Sequence, residues 1–297
     1  MNALTKIGVP FAAALMSAAV SAGPIVTSWG FSTDANFTGA SLEAGGTGTT
    51  GFADDELSWG ATGGSFQDDG VIDDGERSAL TIGISGGNTQ GGGPATGSID
   101  TIVGPIPPFP LPLANFGLGI SFTHWNNPIS SSFDTLLSGV ILDTLTLTPT
   151  APGAGPDVDA PEITFNFNFA ETPNSTPCLI TGPGTSVCND IFAFELPGGG
   201  LNQSFTYDGN TYFAQVLLLN GDLTAAAPIA PLGATVCGDL GLSDSCLGFT
   251  TNENAATTIS FGFAVTTRPV NVPLPSTLAL FGLGLLGLGY RARRKAA

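Results

Sequence analysis

Seven consecutive residues, Ile163-Thr164-Phe165-Asn166-Phe167-Asn168-Phe169, alternate apolar and polar without a break. Successive side chains of a strand point to opposite faces. The run therefore buries Ile163, Phe165, Phe167 and Phe169 and turns the asparagines to water. A helix would scatter the same residues around its axis, so this segment is committed to a half-buried strand. The rest of the chain reaches the same end by interruption. With 42 glycines and 22 prolines in 297 residues, turns recur too often for long helices.

Further strands are predicted at 25–31, 57–60, 79–84, 116–122, 140–147, 191–196 and 258–266, where β-branched and aromatic residues cluster between turn formers. Residues 204–213 read as a hairpin. Asp208-Gly209 suits the positive φ angles of its tight turn, and the second arm runs on to another turn at Asn220-Gly221-Asp222. The Gly- and Pro-rich stretch 86–112 is predicted to be a surface loop. About ten strands without a helix to carry a parallel crossover imply an all-β fold, an antiparallel β-sandwich of jelly-roll type.

Both ends of the chain differ from its middle. Lys6 is the only charge before Asp34, the run from Ile7 to Val20 is apolar, and Val20-Ser21-Ala22 supplies small residues before a cleavage point. Residues 1–22 thus read as a signal peptide, leaving 23–270 as the exported domain. At the other end, Ser276 to Tyr290 is uncharged and is followed by Arg291, Arg293, Arg294 and Lys295. That stretch reads as a short C-terminal transmembrane helix, with the cations holding the terminus on the cytoplasmic side.

All 24 acidic residues lie between these ends, against only two cations, Arg77 and Arg268. Nucleic-acid phosphates would be repelled, so no nucleic-acid partner is expected. Divalent cations would be attracted. Within this segment, Asp68, Asp69, Asp73 and Asp74 crowd one turn-rich run, 68–76. A solvated loop is the plainer reading and a calcium loop the alternative; no other cofactor is expected. The four cysteines fall into two local pairs, Cys178 with Cys188 and Cys237 with Cys246. In an exported chain two small disulfide loops follow, although three connectivities exist.

Catalytic chemistry finds little to work with. There is one histidine, His124, and no G-x-S-x-G motif, so any serine triad would have to run through that residue. The expected role of His124 and Asn126 is hydrogen bonding to backbone where a strand leaves its sheet. Trp59 and Trp125 could stack on sugars, but burial in a sandwich core is the commoner fate of such rings.

Two resemblances add to this reading. Residues 271–297, with Val272, Pro273, Pro275, Ser276 and Thr277 ahead of the apolar run and the basic cluster behind it, resemble a PEP-CTERM sorting segment. Leu274 stands where that family has Glu. The resemblance implies an exosortase-like processing enzyme as partner, passage through the inner membrane of a Gram-negative bacterium, and delivery to the cell surface or extracellular matrix. Thr123-His124-Trp125-Asn126 resembles the THxN signature of one group of such proteins. Ser58-Trp59-Gly60 and Leu145-Thr146-Leu147-Thr148-Pro149 match other elements of that group. The expected function is a non-catalytic surface or matrix protein; a carbohydrate-binding module for extracellular polysaccharide, using Trp125 and loops near His124, is the alternative.

Overall fold

A computed structural model describes residues 22–62, 77–84, 95–104, 115–172, 188–195, 202–220, 229–242 and 246–269. The strands run β1 (Ser28–Leu42), β2 (Thr49–Phe52), β3 (Glu56–Gly60), β4 (Arg77–Ile84), β5 (Ala95–Asp100), β6 (Gly117–Asn126) and β7 (Leu136–Ala151). They continue as β8 (Val158–Asp159), β9 (Ile163–Ala170), β10 (Asp190–Glu195), β11 (Asn202–Tyr207), β12 (Asn210–Asn220), β13 (Ala230–Pro231), β14 (Leu247–Thr251) and β15 (Ala255–Thr266). One short helix, α1 (Ala234–Asp239), precedes β14.

These strands form two antiparallel sheets packed face to face, as the all-β sandwich expectation requires. The first has the order β13-β14-β10-β9-β7-β1-β5, with β8 added to β7. The second has the order β11-β12-β15-β6-β4-β3-β2. In β9 the predicted alternation holds: Ile163, Phe165, Phe167 and Phe169 are buried while Thr164 and Asn166 are exposed. Asn168 departs from expectation, because its Nδ2 donates to the carbonyl of Leu240 at 2.7 Å and so ties β9 to the segment after α1. The hairpin also holds, with Asp208 at φ 46° and Gly209 at φ 75° between paired Tyr207 and Asn210.

The long central strand β1 follows the same logic, alternating Trp29, Phe31, Thr33, Ala35 and Phe37 inward. Its neighbour β5 corrects the loop expected across 86–112. Residues 95–100 pair with β1 as an edge strand, burying only Ala95 and Ile99. Its sequence signal is weak because just two of its side chains face the core. Gly97 is needed there, since a Cβ would stand 2.8 Å from the Phe31 ring.

Between the sheets lie two apolar clusters. The larger gathers Phe122, Phe165, Phe167, Phe169, Phe192, Phe249 and Phe261 with Trp59 and Leu80. The smaller centres on Trp29, with Phe31, Phe205, Tyr212, Phe263 and Val265. Each fully buried Phe contributes about 2–3 kcal/mol by removal from water. Outside the first sheet, α1 packs Val236, Cys237 and Leu240 against Ile191 and Ala193. The expected Cys237–Cys246 disulfide ties this strap to β14. Cys188 is also disulfide-bonded; Cys178 lies outside the described residues.

Arg77, one of the two cations of the exported segment, is structural. It is buried, and its guanidinium donates to the Thr49 carbonyl at 3.0 Å and the Ser58 Oγ at 2.7 Å, stitching β2, β3 and β4 together. Residues 1–21 of the expected signal peptide, the acidic run holding Asp68, Asp69, Asp73 and Asp74, and the C-terminal tail expected to span the membrane lie outside the described residues.

Candidate functional site

The spacing of two between His124 and Asn126 decides where they go. On a strand, residues two apart share a face. His124 and Asn126 therefore point from β6 into the sandwich, while Thr123 and Trp125 take the opposite face. Both inward residues are fully buried. This corrects the expectation of a strand-exit loop: Thr123 through Asn126 lie within β6, paired with β15 on one side and β4 on the other. His124 bonds a side chain rather than backbone, with its Nδ1 2.8 Å from the Thr251 Oγ1 of β14 in the other sheet.

Around His124 the stacking is close. Trp59 lies nearly parallel to it, ring centres 5.8 Å apart and 16° between planes, and Phe169 and Phe192 meet it edge-on at 5.3 and 5.0 Å. Burial in this apolar cage disfavours the charged imidazolium and brings its pKa down to about 3. The histidine is a neutral packing group at physiological pH.

Trp125 is 1% exposed, and its indole donates to the Thr81 Oγ1 at 2.9 Å. Trp29 and Trp59 are buried as well. Burial, the commoner fate anticipated for Trp59 and Trp125, is what the fold shows, and the alternative of sugar stacking by Trp125 finds no ring face open to solvent. Thr123 bonds Thr258 across the same side of the sheet at 2.9 Å.

Next to Asn126 the sandwich closes over three acids that the sequence did not single out. Glu171 follows β9 directly, Asp190 opens β10, and Glu253 sits in the turn joining β14 to β15. One carboxylate oxygen from each lies within 4.8 Å of the others. Trp59 Nε1 donates to Glu171 Oε2 at 3.2 Å. Asp190 Oδ1 accepts from the Thr172 backbone N–H at 2.8 Å, whereas its Oδ2 has no hydrogen-bond partner. The Asn126 amide lies near enough to favour the charged form of Asp190, yet neither its Oδ1 nor its Nδ2 makes a hydrogen bond.

Electrostatics makes this cluster expensive. Two unit charges at such a separation repel by about 3–4 kcal/mol at an effective dielectric of 20. Three such pairs approach the whole stability of a domain, about 5–15 kcal/mol. Burial first, then Asp190 and Glu253, push Glu171 well above the usual carboxylate range. Burial pushes Asp190 up to about 8, opposed by the Thr172 backbone N–H, with Glu253 adding repulsion. The arrangement can hold protons or a hard cation, but not three bare charges. One sequence signal pointed this way: each acid sits where an apolar strand begins, ends or turns.

The fold and these side chains define a disulfide-bearing β-sandwich with an acidic, buried end. Its C-terminal residues 271–295 match the family model described as a PEP-CTERM protein-sorting motif. That segment includes Val272, Pro273, Pro275, Ser276, Thr277 and the cluster Arg291, Arg293, Arg294 and Lys295. The motif marks an exported protein sorted by exosortase, which is thereby a processing partner. No curated protein matches the chain.

Proposed function

We propose that this chain is a structural, non-catalytic protein of the cell surface or extracellular matrix, held at the membrane by its C-terminal helix only in transit. The observation that carries this reading is the sorting motif at residues 271–295. The buried, neutral His124 supports the absence of hydrolytic chemistry, because a general base needs reach to a substrate proton and a pKa near the working pH. The strongly acidic composition suits solubility outside the cell. A matrix location makes extracellular polysaccharide its neighbour, and any contact with it falls to groups other than the tryptophans.

Cell fractionation with intact-mass measurement tests the proposal. The expected product lacks residues 1–22 and the sorting tail, carries two disulfides and is found at the surface or in the medium. Recovery from the cytosol with both ends intact would refute it.

A further inference from the structure

The geometry points to a divalent-cation site of calcium type at the closed end of the sandwich, built from Glu171, Asp190, Glu253 and the Asn126 side-chain carbonyl. This site uses none of the acids of the run at 68–76 and does not depend on the final location of the protein.

Three observations converge on it. The acids bring one carboxylate oxygen each to within 4.8 Å of the others, the spacing that a single oxygen-liganded ion imposes on its shell. Asn126 is 0% exposed, sits beside Asp190, and leaves its amide oxygen without a hydrogen bond. A buried amide costs stability unless something satisfies it, and a cation satisfies the oxygen. Asp190 Oδ2 is likewise buried without a hydrogen bond.

Proton sharing is the competing way to relieve the charge. It would place a carboxylic hydroxyl in donating contact with a neighbouring oxygen. An ion needs its ligands near one another but not bonded together, and the calcium titration below separates the two.

The elements suit the ligand roles. β9 and β10 supply Glu171 and Asp190 from the first sheet, β6 supplies Asn126 from the second, and the β14–β15 turn supplies Glu253 where the chain passes between them. An ion here would clamp the two sheets. Glu171 and Glu253 keep partial exposure, which gives the ion an entry path and leaves room for waters to complete six to eight ligands. Carboxylate and amide oxygens favour a hard cation over zinc or copper.

The test uses the purified full-length chain, stripped with chelator and titrated with calcium. The melting temperature should rise with calcium, saturating at the sub-millimolar to millimolar levels typical of extracellular modules. Terbium should bind competitively and emit on indole excitation, because Trp59 donates directly to the ligand Glu171.

Asp190→Asn with Glu253→Gln should abolish both responses while leaving the calcium-free melting temperature equal to or above that of the parent. Acids that merely supported the fold would lower it instead. Asn126→Ala should weaken calcium at least tenfold. A variant with Asp68, Asp69, Asp73 and Asp74 all changed to Asn should keep both responses. The inference is overturned by a parent chain that answers to neither ion, by responses that survive in the Asp190/Glu253 variant, or by responses lost only in the 68–74 variant.

Discussion

Near opposite ends of β15 the sandwich buries a tryptophan, and the two are finished differently. At one end Trp29 donates its indole N–H to Thr101 Oγ1 at 2.8 Å, Thr101 passes its own proton to the Val26 carbonyl at 2.7 Å, and the Val26 N–H reaches Tyr212 Oη at 2.8 Å. Phe205, Tyr207 and Tyr212 pack edge-on around the ring. At the other end Trp59 donates to an acid, Glu171, whose pKa is raised first by burial and then by its neighbours Asp190 and Glu253. His124 Nε2, both polar atoms of Asn126 and Asp190 Oδ2 lack hydrogen bonds there. The first end closes its polar chain with neutral, hydrogen-bonded groups. The second keeps a polar cost that an apolar core would remove, which is how a ligand site differs from a plug.

The contrast can be broken by substitution. Trp29→Ala should cost the most, about 3–5 kcal/mol in urea unfolding, by cavity formation. Its cost should be the same with calcium or chelator present. A calcium-dependent cost at Trp29 would show that the two ends are not independent.

A buried acid outside the three-acid cluster offers a simpler case, with burial its largest influence and Asp34 a smaller one. Asp143 of β7 accepts from Thr33 Oγ1 at 3.0 Å, and burial raises its pKa from 3.8 to about 7. Its folded value lies above its unfolded one, so the folded state binds more protons between those two pH values. Stability contributed by the neutral form is therefore full below about pH 4 and lost as pH rises to about 7. The residue keeps some solvent contact, which discounts the effect. Asp143→Asn should stabilise by about 2–4 kcal/mol at pH 8 and be nearly neutral at pH 4. Equal stabilisation at both values would remove titration as the cause.

Reduction of Cys237–Cys246 should cost about 2–3 kcal/mol, since the bond closes a loop with sequence separation 9. That loss belongs to the α1 strap and should leave the calcium response unchanged. The smallest effect is expected from Tyr212→Phe, about 1–2 kcal/mol, because it leaves the buried Val26 N–H without its acceptor. A larger loss at Tyr212 than at Trp29 would reverse the ranking of packing over hydrogen bonding at that end.

Much of the fold was legible locally. β9, the β11–β12 hairpin and the inner strands around Trp59, Leu80 and Phe122 carry enough inward side chains to announce their period. Edge strands such as β2 and β5 do not, because their pairing is supplied by neighbours rather than by their own residues. The candidate site divides in the same way. His124 and Asn126 stood out by type and spacing, but their burial did not, since a polar pair near a Trp reads equally well as a loop. Glu171, Asp190 and Glu253 are separated by 19 and 63 residues in sequence, so no local pattern joins them.

The sequence by itself determined the strand period, the tight turn at Asp208-Gly209, the Cys237–Cys246 loop and the sorting tail. These depend on neighbours within about ten positions, where covalent geometry and side-chain alternation leave few choices. Tertiary structure alone decided that Glu171, Asp190 and Glu253 meet, that Trp29 and Trp59 turn inward, and that Trp125 is buried on the opposite face of its sheet. Sheet order sets distances between residues far apart in the chain, and the energy of a buried charge depends on those distances rather than on the residue that carries it.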